Sequence, residues 1–200
     1  QVFGLYFATL DIRQNSAIHT QVWESLAKEG VSVAKNYISQ DADMKMKFLG
    51  NLESSTAPVV TNEMAKETLN SIRAMKTIQE ENGEAGCNRY IISHCNSALQ
   101  VMKLYGLFVL SGWQADDITA DIVPLFETIE DLRNASQIMK TLYEDKTYGQ
   151  HLKRRNMRQT VMLGFSDGSK DGGYLMGNWS IYKAKEMITE LSRTYNSITC

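Results

Sequence analysis

The stretch Thr160–Gly173, TVMLGFSDGSKDGG, sets a short apolar run, Val161, Met162 and Leu163, against a segment of charges and glycines. The run is bounded by turn residues and followed from Tyr174 by a helical pattern, an order that suits a buried strand of a parallel α/β sheet. Sheets of this kind carry their chemistry at the carboxyl ends of the strands. The reading therefore places Asp167, Lys170 and Asp171 in a loop at the strand's end. Gly168, Gly172 and Gly173 would let that backbone approach a ligand closely. Asp-Gly and Ser-Asp-Gly are also ordinary turn chemistry, and on that alternative the charges only face water.

Outward from this stretch the same order recurs. Gln1–Ile12 is rich in β-formers and breaks into Asp11, Arg13, Gln14 and Asn15, which predicts a strand ending in polar residues. From Ser16, the residues Ile18, Val22 and Leu26 recur every fourth position up to Gly30, predicting an amphipathic helix with a glycine stop. Val31–Val60 is polar and methionine-rich and is expected to form short helices outside the sheet. Thr61 is read as the cap of a helix that carries Met64, Ile72, Met75 and Ile78 and stops at Gly83.

Arg89–Ser93 (RYIIS) predicts a third buried strand, followed by His94 and Cys95 and a helix through Leu99, Met102 and Leu110. Asp121–Phe126 (DIVPLF) predicts a fourth, ending in Glu127 with a helix from about Glu130, although Pro124 removes one ladder donor. Lys153, Arg154 and Arg155 are read as solvated surface. Four strand–helix units with parallel strands define the class as α/β. They amount to half of an eightfold TIM-type (β/α)8 barrel with extra helices, or to an open doubly wound sheet. Ile198–Cys200, as the start of a fifth strand, favours the interrupted barrel.

With 200 residues, 43% hydrophobic content, 22% charge and two prolines, the chain is globular and long enough for a sizeable core. No apolar run approaches the roughly 18–20 residues of a spanning helix, the longest lying around Leu104–Leu110, so no membrane role is expected. No signal-peptide pattern is present. A net charge of -2 gives no general reason to expect nucleic acid as a partner. Cys87, Cys95 and Cys200 are odd in number with no CxxC spacing, which points to a reducing compartment and to the cytoplasm as the default. The chain opens at Gln1 without a methionine and stops at Cys200, and is expected to be one fragment, 1–200, of a longer protein.

If the strands are parallel neighbours, their ends gather Asp11, Arg13, His94, Glu127, Asp167 and Lys170 at one rim. Glu127 and Asp167 are hard oxygen ligands on neighbouring strands, suited to Mg²⁺ or Mn²⁺. Arg13 offers a planar fork for phosphate or carboxylate. Together they describe a metal-dependent site for an anionic substrate. Each also has a structural alternative: Glu127 as a helix cap, Arg13 paired with Asp11, and His94 as a satisfied rim histidine.

The segments LDIRQNSAIHT (Leu10–Thr20), LFETIEDLRNA (Leu125–Ala135) and MLGFSDGSKDGG (Met162–Gly173) resemble, in order, three motifs of the phosphoenolpyruvate carboxylase family, and RYIISHCNSA (Arg89–Ala98) resembles its intervening barrel strand. The resemblance implies Glu127 and Asp167 as metal ligands, Arg13 and Gln14 as phosphoenolpyruvate-binding residues, and Lys170 as a charged group near bicarbonate, with Arg13 and Lys170 catalytic. It implies Mg²⁺ or Mn²⁺ as cofactor and a reaction in which phosphoenolpyruvate and bicarbonate give oxaloacetate and phosphate. It also implies a homotetrameric parent. Asn15, Phe165, Gly168 and Gly172 depart from the family's commoner acid, tyrosine, serine and alanine, which bears on fine positioning. The family's catalytic histidine and its arginine- and glycine-rich phosphate loop are not found within 1–200, so the fragment alone is expected to be inactive. Exposed strand edges are expected to make it self-associate. Another enolate-handling barrel lyase and a non-catalytic module are the competing readings.

Overall fold

The computed structural model describes residues 8–53 and 57–199, with the side chains of residues 166–169 and 171 outside the description. Strands β1 (Asp11–Asn15), β2 (Arg89–Ser93), β3 (Asp121–Phe126) and β5 (Met162–Leu163) form one sheet in that order, every pair parallel. β4 (Arg158–Gln159) pairs in parallel with β6 (Ile198–Thr199). β4 and β5 are separated only by Thr160 and Val161, so one stretch of chain serves β6 with its first half and β3 with its second. Among the described residues eight α-helices accompany these strands: α1 (Ser16–Lys28), α2 (Ser32–Ile38), α3 (Ala42–Gly50), α4 (Glu63–Asn82), α5 (Ala98–Leu110), α6 (Ile129–Glu144), α7 (Lys146–Arg154) and α8 (Phe165–Thr194). The parallel α/β class expected from the sequence is the observed one.

Parallel strands need crossover connections, and helices supply them after β1, β2 and β3. The two faces of the sheet divide by alternation. Tyr90, Ile92, Ile122 and Phe126 join the main core under the helices, with Ile12 against it, whereas Ile91, Val123 and Leu125 form a separate buried cluster on the other face. α5 is apolar nearly all round because it packs against α1, α3, α4 and α6 at once. Its own Tyr105 and Phe108, with Trp23 of α1 and Leu49 of α3, are fully buried, and each such side chain stabilises the fold by about 1.5–3 kcal/mol relative to exposure. No described helix is long and apolar enough to cross a membrane.

Local signals explain most boundaries. Asn15 caps α1 by accepting from the Ala17 amide, and Gly30 ends the turn at φ 94°. α4 is capped by Asn62, one residue beyond the expected Thr61; the Thr61 and Asn62 amides instead donate to the Glu29 carboxylate, whose pKa these bonds lower. Pro124 is tolerated inside β3, which pairs with β5 only at Leu125 and Phe126, past the proline.

Three expectations are corrected. Among the described residues the first strand begins at Asp11 and consists of DIRQN, running past the expected end at Ile12; Ala8–Leu10 is irregular, and residues 1–7 of the expected strand lie outside the described residues. Cys200 of the expected fifth strand is likewise outside them, and Ile198–Thr199 pairs with β4. The segment after Leu163 is not an open loop. α8 starts at Phe165 and runs on as helix, broken only at Gly173, whose φ of 78° and ψ of 168° favour a glycine. Arg155 is not solvated surface: with its side chain only 13% exposed, it donates from Nε to Asp121 (2.7 Å) and from Nη2 to Glu84 (2.6 Å), tying α7 to the start of β3. Lys153 and Arg154 are exposed, as expected.

Candidate functional site at the strand ends

Glu127 follows β3 directly and falls, by alternation from Leu125, on the face opposite the helices. It is 4% exposed, and a carboxylate so placed requires partners. Two neighbouring strands provide them. Arg13, on the same face of β1, donates from Nη2 to Glu127 Oε1 at 2.9 Å, and the His94 amide just past β2 donates to Oε2 at 2.7 Å. The His94 imidazole stands beside the same oxygen, Nδ1 to Oε2 being 3.5 Å. The ends of three adjacent parallel strands thus converge on one buried carboxylate.

Two of the structural alternatives, Glu127 as a helix cap and Arg13 paired with Asp11, differ from the observed geometry. α6 is capped by Thr128, whose hydroxyl accepts from the Asp131 amide while Asp131 accepts from the Thr128 amide, a reciprocal box that the Glu127 amide joins at 3.4 Å from Asp131 while the Glu127 carboxylate takes no part in it. The Thr128–Asp131 spacing is the S/T-x-x-D/E signature, so this role was open to detection in the sequence. Asp11 pairs with Arg89 at 3.8 Å, and both residues start their strands, so this pair sits at the opposite end of the sheet from Glu127. Asp11 therefore does not belong to the rim to which the sequence reading assigned it, and it is not the partner of Arg13.

Gln14 lies on the other face of β1. Its amide reaches Thr68 on α4 at 3.5 Å, and the structure does not bring it to Glu127. Asp167 falls in the first turn of α8, its side chain outside the described residues; Lys170, one turn later, is exposed. Sequence reasoning missed Ser16, whose hydroxyl donates to the His94 carbonyl at 2.8 Å and so fixes the backbone from which His94 serves Glu127.

Gly164, which precedes α8, approaches Glu127 so closely that a Cβ there would lie 3.2 Å from both Glu127 Cα and Cγ. Its amide donates to the Phe126 carbonyl at 2.8 Å, so the glycine cannot retreat without losing that bond. Gly164→Ala is expected to displace the Glu127 carboxylate, costing about 1–3 kcal/mol of stability as overpacking does. A denaturant midpoint equal to wild type would show that the carboxylate has free room.

The donor set suits a hard divalent cation in part. A carboxylate offers about four lone-pair positions, of which the described donors use two. Glu127 therefore keeps acceptor capacity for an ion. Among the described residues no group of three or more His, Cys, Asp or Glu assembles a complete metal site.

Comparison with known proteins bears on the same residues. The family model described as phosphoenolpyruvate carboxylase matches residues 1–198. Curated relatives carrying that name are 36% identical over 205 residues in Mycobacterium avium and 34% identical over 204 residues in Nitrosomonas europaea, covering 96% and 98% of this chain. The chain spans 22% of the length of each of these relatives. A match along nearly the whole chain, including all three segments that meet at Glu127, shows that the chain belongs to the phosphoenolpyruvate carboxylase family.

Proposed function

We propose that this chain is part of a phosphoenolpyruvate carboxylase, an enzyme that joins bicarbonate to phosphoenolpyruvate to give oxaloacetate and phosphate, and that it supplies one sector of the active-site rim. The observation that carries the reading is the convergence of Arg13 and His94 on the buried Glu127 at the carboxyl ends of adjacent parallel strands. The succession of parallel strands, with β1 and β6 each left at a sheet edge, supports a partial TIM-type barrel that further strands complete.

In this reading Arg13 binds the phosphate of the substrate. Its side chain is 54% exposed while its partner is 5% exposed, so one face of the guanidinium stays open to an incoming anion. Glu127 and Asp167 hold a divalent cation, Mg²⁺ or Mn²⁺, which when bound supplies positive charge against the negative charge that develops on the substrate oxygens. Lys170, exposed on the first turns of α8, draws bicarbonate to the same rim. Gln14 supports β1 from behind through Thr68. The chain alone is inactive, because these residues cover only part of what the reaction requires.

The test is a chimera in which residues 1–198 replace the matched segment of the Nitrosomonas europaea relative. Oxaloacetate formation dependent on a divalent metal and both substrates is expected. A folded, soluble chimera with native-like melting and no oxaloacetate formation would overturn the reading.

A further inference from the structure

Among the described side chains that face Glu127, that of His94 has no role so far. Its residue adopts a left-handed backbone conformation, φ 51°, which non-glycine residues seldom take. Two bonds hold it there, the His94 amide to Glu127 Oε2 at 2.7 Å and the Ser16 hydroxyl to the His94 carbonyl at 2.8 Å. The next amide, of Cys95, donates to the Leu125 carbonyl at 3.2 Å and anchors the turn to β3. Backbone strain sustained by this many bonds is a feature of functional sites.

The conformation leaves the imidazole 58% exposed with Nδ1 3.5 Å from Oε2. Two ligand atoms bound at right angles to one ion, each at about 2.1–2.2 Å, lie roughly 3 Å apart. A shift on the order of half an ångström, well within the freedom of an exposed ring, brings Nδ1 and Oε2 to that separation.

We propose that the His94 imidazole is a nitrogen ligand of the cation at Glu127, so that the site favours a borderline transition ion such as Co²⁺ over Mg²⁺. Imidazole adds affinity for the former, whereas an all-oxygen site serves the latter equally well. This inference rests on the reading of Glu127 as a metal ligand.

The experiment is pulsed electron paramagnetic resonance of Mn²⁺ added to the chain, together with Co²⁺ and Mg²⁺ titrations by calorimetry. Three proteins are compared: wild type, His94→Asn and Glu127→Gln. Asparagine tolerates the left-handed backbone, and an unchanged melting temperature verifies the fold. The expected result is a ¹⁴N coupling to Mn²⁺ in wild type that is absent in His94→Asn, where Co²⁺ binds at least tenfold more weakly and Mg²⁺ less than twofold so. Mn²⁺ bound without nitrogen coupling, yet lost in Glu127→Gln, would overturn the role of His94 and leave the metal reading standing. Absence of Mn²⁺ binding in wild type, or binding that Glu127→Gln does not alter, would overturn both.

Discussion

Between pH 7 and pH 5 the folded chain is expected to lose about 4 kcal/mol of stability through two histidines remote from the strand ends. His19 and His151 are 0% and 1% exposed. His19 Nε2 lies 3.3 Å from the Tyr90 hydroxyl, and His151 is set between the rings of Tyr105 and Tyr148. Neither Nδ1 has a hydrogen-bond partner. Burial pushes each pKa down to about 3, reinforced by Lys103 beside His19 and by Arg155 and Arg154 beside His151. The unfolded chain takes up a proton at each site as pH falls through about 6.5, and the folded chain does not until about pH 3. Stability is thus full above pH 7 and declines across that window, by about 2 kcal/mol per histidine at pH 5. Urea unfolding at pH 7 and pH 5 measures it. The variant His19→Gln/His151→Phe should flatten the dependence, and a wild type equally stable at both values would contradict the assignment.

Glu127→Gln carries the second large effect, in the chimera with the Nitrosomonas europaea relative. The amide keeps the size of the side chain and can still accept from Arg13 or from the His94 amide, so the fold should survive. Charge is what it removes, and with it the ligand for a cation and the counter-ion that aims Arg13. A fall in kcat of at least about 1000-fold is expected, since preorganised charge is commonly the largest catalytic contribution. Retention of more than a tenth of the activity would place the cation elsewhere.

The parts of this fold that were legible in the sequence are those dictated by burial. Arg89–Ser93 and Asp121–Phe126 read as strands because both faces of the sheet are covered there and the residues are apolar in an unbroken run. The polar residues just past them, His94 and Glu127, were found by the same rule. The end of β1 was set too early because its five residues DIRQN carry Arg13 toward Glu127 and Gln14 toward Thr68, so polar contacts hold it where an apolar pattern was sought. The start of α8 was read as a loop because glycine costs about 1 kcal/mol per helical position, a local preference that tertiary packing overrides here. Gly172 illustrates this: it lies so close to Ile129 on α6 that a Cβ would meet Cγ1 at 2.9 Å. Arg155 was missed because its two carboxylates, Glu84 and Asp121, are distant in sequence and come together only in the fold.

The claim on which the account turns is that the strand ends form a cation site around Glu127 within this chain. Titration of Mn²⁺ into the wild-type chain by calorimetry at neutral pH, beside Glu127→Gln and Asp167→Ala, tests it directly. The account predicts one Mn²⁺ per chain in wild type and binding at least tenfold weaker in each variant. No binding to wild type, or equal binding to all three, would contradict it.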